Sequence, residues 1–419
     1  MSLRALSSLL LVAAFSLAES GNRLLAMSAW FQNPTIQNGN LANRSGSGSK
    51  TPASGTADFV FQGNRMFAEL GFIRPDGTLH KAYAFVDLGS PSAVVSPSLF
   101  KELGLDQKKP LSFHVGEMTV TVDSSTVENS SWLPTFLGED RKVEAVLPAG
   151  IMQKFQVVMD YAQHSMTLAQ PGTLKPQGTP IPIRVNDKTG LAVVEATIDG
   201  KPYAITIDNG SAYTWLQKTA VQPWLDAHPD WQRGIGAVGN SNMRMDDDGI
   251  EATGTLIRIP EIKLGLLTFS QVGALAIGPS KAQGDFIGWY SRKNPVPVIG
   301  WLGGNVLQGF RITIDYPNHM SYWVSQSPLD PHDLDQIGLT LISRHGSYFV
   351  AAIATQNGKP TVDGVQAGDR LLQVDGLQIT GATRGAILSA MHGKPGEIRT
   401  LTLERDGKTF TTPASVREF

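Results

Sequence analysis

Two apolar strands of this chain end in the same way. Residues 82–95 read AYAFVDLGSPSAVV, and residues 203–216 read YAITIDNGSAYTWL. Each run delivers an aspartate, one further residue, Gly-Ser, and then more apolar residues. A carboxylate at the end of a buried strand is costly unless something pairs with it or uses it. Two copies in matched settings predict that Asp87 and Asp208 work together.

The match extends beyond the motif. MFAELGFIRPDGTLHKAYAFVD and LAVVEATIDGKPYAITID each hold two apolar strands joined by a Gly-bearing turn, and the second strand supplies the aspartate. The endings agree too. AGIMQKFQVVMDYAQHSMTL (149–168) and GGNVLQGFRITIDYPNHMSYW (303–323) each carry Phe, four residues, then Asp-Tyr, at Phe155/Asp160-Tyr161 and Phe310/Asp315-Tyr316. Shared openings, motifs and endings in one order predict two homologous lobes.

From Phe59 to about residue 325, short apolar runs alternate with Gly, Pro, Asn and Asp, as in EMTVTVD and TLIRIPEIKLG. That pattern predicts a mainly β chain of many short strands. SPSLFKELGL (96–105) is a helix candidate, with Ser96 as N-cap and Pro97 in the first position. Pro-rich joints at 171–183 and 325–333 mark the divisions. They place lobe one at 57–172, lobe two at 178–325 and a third module at 333–419. Residues 19–56, rich in Gly, Ser and Asn, read as a flexible N-terminal segment. Residues 1–18 have one arginine, a short apolar core and the small-x-small ending Ser16-Leu17-Ala18. They predict a cleaved signal peptide and an exported protein, periplasmic or secreted. No later stretch is long enough to read as a transmembrane helix.

Composition narrows the chemistry. A net charge of −2 favours neither nucleic acid nor anionic membrane as a partner. The absence of cysteine removes disulfides, thiol nucleophiles and thiolate metal sites. None of the eight histidines sits in His-Glu-x-x-His, and VGNSNM (238–243) lacks the glycine that a serine-protease nucleophile turn needs. No Gly-rich phosphate loop opens a helix after a strand, so neither a metal nor a cofactor is expected.

Paired aspartates suit another chemistry. Gly89 and Gly210 permit tight turns, and the hydroxyls of Ser90 and Ser211 are expected to hydrogen-bond the carboxylates. Two carboxyls about 3 Å apart share one proton, because both cannot ionise cheaply. The ionised member can take a proton from water while the protonated one donates to a carbonyl oxygen. That is a route to amide hydrolysis.

This constellation resembles the aspartic peptidases, with two retropepsin-like or pepsin-like β lobes fused in one chain over residues 57–325. The resemblance implies an aspartic-type endopeptidase with Asp87 and Asp208 as its catalytic dyad. It makes Gly89, Ser90, Gly210 and Ser211 supports of the dyad. It also implies an apolar-apolar-Gly strand passing beside each aspartate turn, read as Ile299-Gly300 in VPVIGW and more weakly in AVLPAG. The family usually has Thr or Ser directly after each aspartate, bonded across to the other lobe. Leu88 and Asn209 stand there instead, which predicts a cross-lobe network at least half missing. A covering hairpin is expected at 239–265, with Asp-Asp-Asp-Gly at its tip, and a shorter one at 113–124.

The third module carries VDGVQAGDRLLQVDG (362–376), which closely resembles a PDZ domain. DQIGLTL (335–341) resembles the loop that grips a peptide's terminal carboxylate, with Gly338 and Leu339 in the key positions. TRGAILSAM (383–391) fits the groove helix. The resemblance implies polypeptide partners, including protein C-termini, held by strand addition. The joint at 325–333 predicts that the lobes fold without this module. Two functions follow. One is an exported aspartic endopeptidase whose PDZ domain recruits or positions polypeptide substrate. The other is a catalytically silent retropepsin-like peptide-binding protein.

Overall fold

The computed structural model describes residues 52–130, 133, 142–236, 250–279 and 285–419. The expected signal peptide and most of the expected flexible segment lie outside these residues. Within them the chain is mainly β, in sheets of 13, 10 and 6 strands. None of the described helices is long and apolar enough to cross a membrane.

The first strand, Ser54–Gln62, begins inside the segment expected to be flexible. It does so because Ser54–Asp58 pair antiparallel with Ser165–Ala169, which satisfies their backbone groups. Lobe one continues with Arg65–Ile73 and Leu79–Asp87, an antiparallel pair with Met66 opposite Val86. Lobe two repeats the arrangement with Ala192–Ile198 and Lys201–Ile207, where Val193 faces Thr206. The helix Pro97–Glu102 is capped by Ser96, whose hydroxyl accepts from Leu99 N at 3.2 Å.

The matched endings of the lobes pair with each other. The strand Phe310–Asp315 runs antiparallel to Gln156–Asp160. Arg311 lies opposite Asp160, and Asp315 opposite Gln156. Thr313 and Val158, each two residues ahead of its Asp-Tyr, face one another. Each lobe's ending therefore meets its own counterpart, as a twofold between the lobes requires. The Gln156 side-chain amide donates to Asp315 Oδ2 at 2.9 Å and seals the joint. One apolar cluster runs through both lobes, from Phe59 and Leu70 to Ile198 and Ile314.

The hairpin expected at 113–124 is present, and of the one expected at 239–265 only residues 250–265 are described. In lobe two Thr255–Leu264 pairs antiparallel with Gln232–Ile235 on one side and with Leu267–Ile277 on the other, the latter turning at Gly265 and Leu266. Gly265, at a φ of 55°, supplies the left-handed turn residue. The expected tip at Asp246–Gly249 lies outside the described residues. In lobe one, Leu111–Val115 and Met118–Val122 form the hairpin, and its turn packs on Gly55 and Thr56.

The third module has a sheet of its own, with Leu339–Arg344 at one edge, next to Ser347–Ile353. Its core gathers Leu339, Leu341, Val350, Ile387 and Met391. It packs against lobe two across the Pro-rich joint. Thr355 pairs with Ile235, so the lobe-two sheet continues into the module. Leu334, Ala354 and Phe419 belong to the same apolar cluster as Trp215, Leu256 and Trp301 of lobe two. The buried Arg258 donates to the Phe419 carbonyl oxygen through Nε at 3.2 Å and pairs with Asp333 at 2.6 Å. Apolar burial and a desolvated ion pair therefore cross a junction that composition marks as a linker.

Candidate active site

Each aspartate sits at the mouth of a buried strand. The last four residues of Leu79–Asp87 are buried, and Val143–Pro148 runs parallel beside them with Pro148 abreast of Asp87. Asp208 follows Lys201–Ile207, and Gly300–Leu302 runs parallel beside that strand, with Leu302 abreast of Ile207. The Asp208 N–H donates to the Leu302 carbonyl at 3.0 Å. The strand beside Asp208 is therefore Gly300–Leu302, opening on the expected Gly300 with Ile299 just before it. Ile299 and Gly300 tie neighbouring strands together one step back: Ile299 donates to Ala204 O at 3.1 Å and accepts from Gln217 N at 2.7 Å. Any Cβ at Gly300, whose φ is 152°, would overlap the Trp215 carbonyl.

The two turns have the same internal wiring. Gly89 N–H donates to Asp87 Oδ1 at 2.8 Å, and Gly210 N–H donates to Asp208 Oδ1 at 2.9 Å. Ser211 N–H adds a second bond to Asp208 Oδ1 at 3.2 Å. The serine hydroxyls do not reach the carboxylates as expected. Ser90 Oγ donates to Ser92 O at 3.2 Å, and Ser211 Oγ donates to Tyr213 O at 2.8 Å. A hydroxyl bonded two residues onward closes the turn, while backbone amides orient the acid.

Across the lobe interface each aspartate meets the other's glycine. A Cβ at Gly89 would overlap the Asp208 carboxyl, and one at Gly210 would overlap that of Asp87. Only glycine lets the turns approach this closely. Asp87 is 1% exposed and Asp208 7%. Burial raises both acids, and the Asp208 charge raises Asp87 further. Asp87 lies well above the usual carboxylate range, and Asp208 is lifted to about 6. The turn amides and Arg65 pull in the opposite direction on both. A desolvated, mutually repelling pair of this kind holds one proton between its members near neutral pH.

The residues after the aspartates make one cross-lobe bond. Leu88 N–H donates to Asn209 Oδ1 at 2.8 Å. Leu88 has no side-chain group to answer with, and Asn209 Nδ2 is buried without a partner among the described residues. The network is half present, as Leu88 and Asn209 predicted.

Two neighbours escaped the sequence reading. Arg65, 2% exposed, reaches across from lobe one and donates from Nε to Gly210 O at 3.1 Å. Tyr290, on the helix Phe286–Ser291, places its hydroxyl 3.5 Å from Asp208 Oδ2. Their signals are slight: a lone arginine opening an apolar strand, and the aromatic run Phe286-Ile-Gly-Trp-Tyr290. Among the described residues, no group of three or more His, Asp or Glu side chains is placed to hold a metal ion.

Gly338 and Leu339 are far from this pair in sequence and belong to the third module. Gly338 has a φ of 86°, and its carbonyl accepts from Ala354 N at 2.8 Å. Leu339 opens the edge strand with its side chain in the module's core. The Ile337 N–H just before them donates to Met391 O at 3.1 Å, at the end of the helix Arg384–Met391.

No protein-family model matches the chain, and no curated protein matches it. Among solved structures, a photosystem II D1 C-terminal processing protease is similar over 20% of this chain, at 18% identity and a TM-score of 0.18. That match spans 23% of the other protein's length. Basic 7S globulin from soybean is similar over 65% of this chain and 95% of its own, at 11% identity and a TM-score of 0.37. Likenesses this distant leave the chemistry to the geometry of the site.

Proposed function

We propose that the protein is an exported aspartic-type endopeptidase that hydrolyses peptide bonds through Asp87 and Asp208. The observation that carries this reading is the interlocking of the two turns, each carboxyl packed on the other's glycine. The ionised member takes a proton from a water held between the acids. The resulting hydroxide equivalent adds to the peptide carbonyl carbon, and the protonated member donates to the carbonyl oxygen. The tetrahedral diol then collapses. The acid that took the water's proton passes it to the leaving nitrogen, and the other recovers its proton from a diol hydroxyl. The C–N bond breaks, one water is consumed, and both acids return to their starting states. The third module, docked on lobe two, holds polypeptide at its open sheet edge and positions it for the cleft.

The half-made network between Leu88 and Asn209 favours a second reading, a silent protein that grips extended peptides without cutting them. Incubating the purified protein with an unfolded polypeptide from pH 3 to 8 separates the two. The peptidase cleaves, and Asp87→Asn or Asp208→Asn each lowers the rate by about a thousandfold or more, with the double variant no worse, because the pair acts as a unit. Binding without cleavage at any pH selects the silent reading. Cleavage that survives either substitution places the chemistry elsewhere.

A further inference from the structure

The two acids are not equally furnished. In each, Oδ1 accepts from turn amides, and the two Oδ2 atoms differ in what they meet. Asp87 Oδ2 is buried with no partner among the described residues. Asp208 Oδ2 has the Tyr290 hydroxyl at 3.5 Å. That is a long bond, of the kind that tightens when charge or substrate arrives.

Tyr290 is fixed on every side. Its ring packs edge-on to Trp301 at 4.9 Å and lies against Phe286 at 6.3 Å. Its carbonyl accepts from Asn294 Nδ2 at 3.0 Å. The Asn294 side-chain oxygen accepts from Thr206 Oγ1 at 2.8 Å. Thr206 lies on the strand that delivers Asp208, so one chain of bonds ties the helix of Tyr290 to that strand.

Deepening the hydrolase reading, and resting on it, we propose that Tyr290 is a positioning residue that divides the work of the pair. It holds Asp208 as the ionised base and leaves the shared proton on Asp87. The groups that face Asp208 are Asp87, Arg65, Tyr161 and Tyr290. Arg65 favours the charged form of both acids, so it does not choose between them. Tyr161 has a buried hydroxyl with no hydrogen-bond partner among the described residues. Tyr290 acts on Asp208 by a hydrogen bond, and its own burial keeps the phenol protonated and able to donate. In the first half of the reaction the water's proton therefore goes to Asp208 and the carbonyl oxygen receives the proton of Asp87. Tyr290 gives up no proton.

Carboxyl-carbon NMR of aspartate-labelled protein tests this, with Asp87→Asn and Asp208→Asn supplying the assignments. In the wild type, Asp208 should take the lower titration step. In Tyr290→Phe, which keeps the packed ring, that step should rise by about half to one pH unit. The acid limb of the kcat/KM profile should rise with it, because the base must be ionised. The rate at a fixed pH on that limb should fall up to about tenfold, with KM little changed. Tyr161→Phe should move neither. 3-Fluorotyrosine at 290, a stronger donor of nearly the same shape, should lower the step and serves if Tyr290→Phe does not fold. An unmoved step in both Tyr290 variants, or Asp87 as the lower-titrating acid, overturns the assignment. If the wild type cuts nothing, hydrolysis falls as a reading, and the same titration still decides whether Tyr290 orders the two acids.

Discussion

The Asp87 and Asp208 turns share their inner bonds and differ in what surrounds them. Around each, the glycine N–H meets the carboxylate and the serine hydroxyl closes on a carbonyl two residues along. Outside the turns the likeness ends. Asp87 is followed by the apolar Leu88, buried in the common core. Asp208 is followed by Asn209, touched by Tyr290, and backed by the third module through the shared cluster of Trp215, Leu334 and Phe419. A duplicated turn can thus be kept for its geometry while its surroundings diverge. The bonds that shape the turn are local, and the groups that set its protonation come from elsewhere in the chain.

The largest test of this contrast removes the brace from one lobe. Phe419 is fully buried, and its ring packs on Gly234, where a Cβ would overlap it. Phe419→Ala should cost about 3–5 kcal/mol, the usual range for a buried aromatic. Amide exchange should quicken first in Gln232–Ile235 and Thr255–Leu264 and stay slow in Leu79–Asp87. Uniform loosening of both lobes would show that the module supports them equally.

The next test uses the feature the turns have in common. Both acids are held above the ordinary aspartate value in the folded chain. As pH rises, the unfolded chain releases these protons first. The stability contributed by the pair is therefore complete below about pH 4 and is lost as pH climbs through the folded values. For Asp208, lifted to about 6, the loss is on the order of 3 kcal/mol between pH 4 and 7. Urea melts across that window should show the decline, and Asp208→Asn should flatten it. A wild type with constant or increasing stability over the window would mean that the carboxyls are not held as a repelling, desolvated pair.

What the sequence revealed follows from which interactions repeat along it. Strand-end aspartates, Gly-bearing turns and Asp-Tyr endings are one-dimensional features, so the twofold joining Val158 to Thr313 was foreshadowed in the text of the chain. The strand beside Asp208 opens on the expected Gly300, while its exact register, with Leu302 abreast of Ile207, is set by strand pairing that no local motif records. The Ser90 and Ser211 hydroxyls were aimed at the wrong acceptors, since a turn offers a carbonyl and a carboxylate within similar reach. The Asp-Asp-Asp-Gly tip lies outside the described residues, and on either side of it Gln232–Ile235 and Thr255–Leu264 pair antiparallel. Arg65 and Tyr290 carry no local mark of what they touch, because their neighbours lie 145 and 82 positions away. The Pro-rich joint is silent on the buried Arg258–Asp333 pair, because proline content reports backbone stiffness and not the contacts that cross a joint.

The smallest expected effect concerns the one bond that crosses between the residues after the aspartates. Asn209→Ala removes the acceptor of the buried Leu88 N–H, a bond of 2.8 Å. An unsatisfied buried donor costs about 1–3 kcal/mol. The same substitution also deletes Asn209 Nδ2, which is itself buried and unpartnered among the described residues, so part of that cost is returned. The net loss should be about 1 kcal/mol by urea melt. Asn209→Thr separates the two components. Its hydroxyl oxygen can accept from Leu88 N–H while its hydrogen turns to a backbone carbonyl, so stability should return to the wild-type value or exceed it slightly. If Asn209→Ala is neutral and Asn209→Thr gains nothing, the interlocked glycines and the Arg65 bond to Gly210 hold the turns, and the cross-lobe amide contributes no net stability.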